Sequence, residues 1–209
     1  ATLFLSGDLS LLNSLKAFAI VGSRSAEDKA IKFAYESAKE LGDNGFTVVS
    51  GGALGIDTAA HKGALDSSYG KTIAVLGSGF FNPYPIENKE LFNKIKEKGL
   101  LVCEHSPNFP GSRISFLQRN RITSGLSNGV LICASDRVDG GSATQAKIAY
   151  SQHKQLYCPS LELDIKPNQG IKEMMTEFEI KQTSNPKQLI QQITAQPTHK
   201  QAVLNTLTS

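Results

Sequence analysis

Between Ser50 and His61 the chain reads SGGALGIDTAAH, which places Gly51, Gly52 and Gly55 between an apolar run and an amphipathic one. Glycine gives up backbone order, and a chain does so after a strand where backbone N–H groups must approach something closely. A phosphate at a helix N-terminus is the usual partner, because the free N–H groups and the helix dipole both favour negative charge. Three other stretches have the same character: Gly22-Ser23-Arg24, Gly77-Ser78-Gly79, and Asp139-Gly140-Gly141-Ser142 followed by Thr144. Taken singly, each is equally a tight strand-to-helix turn. Brought to one edge, they make an anion site. No GxGxxG follows the first apolar strand and no GxxxxGK[ST] occurs, which disfavours a dinucleotide cofactor or a nucleoside triphosphate.

A second signal is RISFLQRNR, with Arg113, Arg119 and Arg121, the aromatic Phe116, and Asn120 between two of the arginines. Guanidinium forks match phosphate oxygens, and aromatic faces stack on bases. On a helix Arg119 and Arg121 diverge by about 200°, so one of them is free to pair with a carboxylate instead. Phe116 is either a stacking platform or a core aromatic. A catalytic set is harder to assemble. Asp57 lies one turn before His61 and would orient an imidazole for base work; the alternative is that Asp57 ties down the glycine loop while His61 packs. There is no GxSxG and no HExxH. Cys103, Cys133 and Cys158 stand in or beside apolar runs without metal spacing, which predicts buried free thiols. We assign no catalytic residue, no metal and no cofactor.

The elements that must carry these residues alternate. Apolar runs at 16–22, 46–50, 72–77, 100–104, 129–134 and 155–159 read as strands. Helical stretches lie between them, including one with apolar positions at Ile31, Ala34, Tyr35, Ala38 and Leu41 that Asn44-Gly45 stops. FLQRNRITSGL reads as one short helix. Continuous apolar strands joined by helices predict an α/β, Rossmann-like, doubly wound and mostly parallel sheet with helices on both faces. We expect residues 1–180 to form this core, with 1–15 as a leading segment packed on it. Residues 181–209, rich in Gln, Thr, Asn and Lys, are expected to form a peripheral helix and a flexible tail. The 209-residue chain carries a net charge of +3, which permits an anionic partner without demanding one. No apolar run approaches the roughly 18 residues of a membrane span, and no signal peptide opens the chain. We expect a cytoplasmic protein with no membrane partner.

VGSR, SGGALGIDTAAHKGAL, YPIENKEL, GLLVCE and FLQRNRITSGLSNGVLIC, in this order, resemble the DNA processing protein A family, also called DprA or Smf. The similarity runs from about Leu3 to Gln169 and covers the family's Rossmann-like core, not the winged-helix-like domain that many members carry after it. It implies binding of single-stranded DNA in DNA processing and natural transformation, self-association as a homodimer, delivery of the strand to the RecA recombinase, and no enzymatic activity. The positions it assigns to DNA are Arg24, Arg113, Phe116, Arg119, Asn120 and Arg121. The backbone of Gly51, Gly52 and Ala53 would lie alongside, and Gly141 and Ser142 would close the pocket. The loop DGGSAT departs from the family's usual S-G-S-x-x-T-A opening. Two alternatives use the same cleft: a sensor of a small nucleotide, and a phosphoribohydrolase that cleaves a nucleotide's N-glycosidic bond. The latter's PGGxGT hallmark is replaced here by DGGSAT.

Overall fold

A computed structural model describes residues 2–195. It holds an eight-stranded sheet: β1 (Phe4–Gly7), β2 (Ala17–Gly22), β3 (Thr47–Ser50), β4 (Thr72–Leu76), β5 (Leu100–Cys103), β6 (Gly129–Ala134), β7 (Gln155–Pro159) and β8 (Ile180–Thr183). The helices are α1 (Asp28–Asp43), α2 (Ile56–Leu65), α3 (Lys89–Lys98), α4 (Arg113–Gln118), α5 (Asn120–Gly125), α6 (Gly141–Ser151), α7 (Gln169–Met174) and α8 (Pro186–Thr194). Strand order is β1-β5-β4-β3-β2-β6-β7-β8, parallel throughout except for β1, which runs antiparallel on the edge of β5.

Alternation along the strands builds two apolar layers. Phe18, Ile20, Val48 and Leu131 face α1, α2 and α8, while Ala19, Val21, Val49 and Ile132 face α5, α6 and α7. Both faces are covered, which is why the strands read as unbroken apolar runs. The chain leaves β2 toward β3 on one side, and β6 sits on the other. That reversal of strand order at the carboxyl edge is where open α/β sheets place their ligands.

Two expectations are corrected. The single helix expected over 116–126 is two short ones that meet at Arg119. A boundary at 180 does not separate a core from an appendage: β8 starts there and pairs with β7, and α8 buries Leu189 against the α1–α2 layer. The flexible tail expected after α8 lies outside the described residues.

Candidate nucleic-acid interface

The carboxyl ends of β2, β3 and β6 and the amino ends of α4 and α6 enclose a cleft of about 720 Å³. It is lined by Arg24, Ala53, Arg113, Phe116, Arg119, Asn120, Gly141 and Ser142 among the residues expected from sequence. Gly51 joins through a small contiguous niche shared with Arg24, Tyr84 and Phe116. Gly52 and Arg121 do not line it.

The glycine loop is held from inside the protein. A Cβ on Gly51 would overlap the guanidinium of Arg119, and one on Gly52 would meet the ring of Phe92. Gly52 and Gly55 both have φ of +76°, the left-handed region where glycine is favoured, and a Cβ on Gly55 would press on the carbonyls of Ser23 and Arg24. Side chains complete the fastening. Asn88 Nδ2 donates to the Gly52 carbonyl at 3.0 Å, and the Thr58 hydroxyl donates to the Ala53 carbonyl at 2.8 Å. Asp57 accepts the Ala53 N–H at 3.2 Å.

Arg119 is only 9% exposed and lies over Gly51, with Nη2 3.8 Å from Asp57 Oδ2 and Nε donating to the Phe116 carbonyl at 3.3 Å. Burial pushes the Asp57 carboxyl up, against the pull of Arg119. The guanidinium keeps its proton, so the charge beside Asp57 favours the carboxylate form against that burial. Arg121 points the other way and pairs with Glu104 on the surface. Both arginines of RNR are thus committed to carboxylates, and the assignment of Arg121 to the cleft is corrected.

His61 does not meet Asp57. Its Nδ1 donates to the Thr72 hydroxyl at 2.8 Å, because that hydroxyl already gives its hydrogen to the Val48 carbonyl at 2.7 Å. Burial, with the nearby charge of Arg119, lowers its pKa to about 3, so the ring is neutral packing. The three cysteines are free and buried, and burial holds their thiols well above the ordinary range.

What remains to face a ligand is a different set. Arg24 and Arg113 are exposed and form no ion pair among the described residues. Phe116 is half-buried, seated on Gly77 and Gly111, and its ring stands 5.1 Å from that of Tyr84 at 38°. Tyr84 is 50% exposed and lines the cleft. The sequence reading missed it; the signal was an aromatic-rich turn, GFFNPYP, beside a strand end. Asn120 is buried, with Nδ2 directed at the Gly141 carbonyl at 3.4 Å. Gly141 opens α6 with no side-chain cap, and a Cβ there would meet nothing within 4 Å.

The model of the DNA recombination-mediator protein A family matches residues 1–194. The chain belongs to that family. DNA processing protein DprA of Bacillus subtilis is 34% identical over 157 residues, which cover 75% of this chain and 52% of that protein. The chain spans between a third and about half of the length of the curated relatives it matches first. Among solved structures, DNA processing protein A from Helicobacter pylori, for which a single-stranded DNA binding mode has been described, superposes with a TM-score of 0.83. It is 29% identical, and the match covers 92% of this chain and 86% of that one. DprA from Streptococcus pneumoniae superposes with a TM-score of 0.81 at 32% identity, covering 90% of this chain and 65% of that one.

Proposed function

We propose that this chain binds single-stranded DNA in the cleft at the carboxyl edge of its sheet and acts in DNA processing. One observation carries the reading: Arg24 and Arg113, without an ion pair among the described residues, share an open cleft with the tilted ring pair of Tyr84 and Phe116. Arginines neutralise phosphates, and a half-exposed aromatic pair offers a face to a base. An unpaired base meets that face without the cost of breaking a base pair, which favours a single strand. The single-stranded DNA binding described for the related Helicobacter pylori protein supports the same reading. Binding of this kind tolerates any sequence of bases and weakens with salt, by a slope of about 0.7 per phosphate contacted on a single strand.

The test is fluorescence anisotropy of a labelled oligonucleotide at low and moderate salt, with unlabelled duplex and a nucleoside monophosphate as competitors. Salt-sensitive binding that duplex displaces poorly supports the reading. Tight monophosphate binding with no oligonucleotide binding overturns it in favour of a nucleotide sensor, and release of free base overturns it in favour of a phosphoribohydrolase.

Delivery of the bound strand to RecA is the finer part of the proposal, and the family's description as a recombination mediator supports it. Faster assembly of RecA on a strand pre-bound by this chain is the expected result; an unchanged rate removes that part alone.

A further inference from the structure

The loop after β6 brings two carboxylates, Asp136 and Asp139, into the cleft. Asp139 is engaged by Arg137, whose Nε and Nη2 donate to it at 2.7 and 2.9 Å. Asp136 has no cationic partner among the described residues. It is exposed and accepts the Ser23 hydroxyl at 3.3 Å, which ties it to the loop that carries Arg24.

A free carboxylate is out of place among groups that attract phosphate. It repels the same anion that Arg24 and Arg113 draw in, and it offsets the positive end of α6, where Gly141 and Ser142 would otherwise favour one. Packing does not explain it, since it is exposed. In a nucleic-acid site a carboxylate has a specific use: it accepts from base amino groups, the N4 amine of cytosine first among them.

The topology leaves room for this. β4, β3, β2 and β6 are consecutive neighbours. Tyr84 and Phe116 lie at the β4 end and Asp136 at the β6 end, three strand spacings away, or about 14 Å. A strand that places one base on the aromatic pair therefore has a further nucleotide beside Arg24 and Asp136.

We infer that Asp136 reads a base edge in this cleft, favouring a base with an exocyclic amine, cytosine foremost, over uracil or thymine, whose O4 it repels. The inference rests on the single-stranded DNA reading and adds selectivity to it. Phosphates then follow Arg24 and Arg113, while one base meets Tyr84 and Phe116 at the β4 end and a further base turns toward Asp136 on the β6–α6 side.

Oligo-dC and oligo-dU of equal length test it, because the two bases have the same ring size, carry no methyl group and differ only in the group at position 4 and the hydrogen on N3 that accompanies the 4-oxo form. Anisotropy at mildly alkaline pH keeps oligo-dC unfolded. The native chain is expected to bind oligo-dC about fivefold more tightly, the scale of one hydrogen-bonded base edge. In Asp136→Ala the gap closes, chiefly because oligo-dU binds better, and a thermal melt stays unchanged because Asp136 is exposed and, among the described residues, bonded only to Ser23. A residue with a merely structural role would shift both oligonucleotides equally. Equal affinities in the native chain, or a preference that survives in Asp136→Ala, overturn the inference and leave the DNA reading standing. Binding of neither oligonucleotide at low salt overturns the DNA reading itself.

Discussion

Two glycine-rich loops meet at the cleft, and their glycines are there for different reasons. In the loop after β3, Gly51, Gly52 and Gly55 make room for the protein itself: for Arg119, for Phe92, and for the carbonyls of Ser23 and Arg24. In the loop after β6, Gly141 makes room for nothing in the protein, because a Cβ there would stand in open space. The richer loop is a fastening, and the poorer one is open; in the proposed function it is the cradle. Glycine density alone does not separate the two; the atoms a Cβ would meet do.

Substitution at each loop turns this contrast into numbers. The largest effect is expected from Gly51→Ala, which displaces Arg119 and leaves Asp57 buried without its partner. Breaking such a pair costs about 3–5 kcal/mol, read as a lowered denaturation midpoint, and oligonucleotide binding goes with it. The pH dependence of that deficit sharpens the assignment. Burial raises the Asp57 pKa and Arg119 pulls it down, so removing Arg119 raises it further. An acid with a raised folded pKa is stabilising when protonated and loses that contribution as pH rises through the folded value. The deficit in Arg119→Met should therefore shrink as pH falls through the carboxyl range; a deficit independent of pH breaks the account of this pair.

Tyr84→Ala comes next, with a loss of about 1–3 kcal/mol in oligonucleotide affinity and little change in the melt, as for a base stacked on an exposed ring. Gly141→Ala is the counterpart of Gly51→Ala. Stability should hold or rise by about 0.5–1 kcal/mol, since alanine suits a helix better, while oligonucleotide binding weakens several-fold. A stability loss there would erase the distinction between the loops. Arg24→Ala should leave the fold intact and reduce the salt slope by about 0.7, one phosphate contact. The smallest effect is at His61: by NMR its ring should stay neutral through the range where an exposed histidine titrates, taking up a proton only near pH 3, about where its pKa lies. Its contribution to stability is complete above 6.5, its ordinary value, and is lost as pH falls from there toward about 3.

The sheet was legible because its strands are buried on both faces and read as apolar runs, six of the eight in the correct place. β8 was not legible as a strand: IKQT is short and half polar, and its pairing with β7 is decided by tertiary context. At the cleft, residue type pointed to Arg24, Arg113 and Phe116, and all three line it. It could not show that Arg119, which lines the cleft, is also claimed by Asp57 on α2, distant in sequence, nor that Arg121 turns to Glu104 after β5. Divergence of the two arginines on a helix was the right physical cue, but it gave no hint that both would be engaged. Tyr84 and Asp136 were passed over because each lies in a loop with no periodicity to mark it, and only the folded sheet edge brings them to the same cleft.

The central claim is that a single DNA strand lies against Tyr84 and Phe116 in this cleft. Photo-cross-linking with an oligonucleotide carrying 5-iodouracil, followed by mass spectrometry of the peptides, tests it most directly. The expected attachment is to Tyr84 or Phe116, lost when unlabelled oligonucleotide is added in excess. Attachment confined to the faces of α1, α3 or α8, away from the sheet's carboxyl edge, would contradict it.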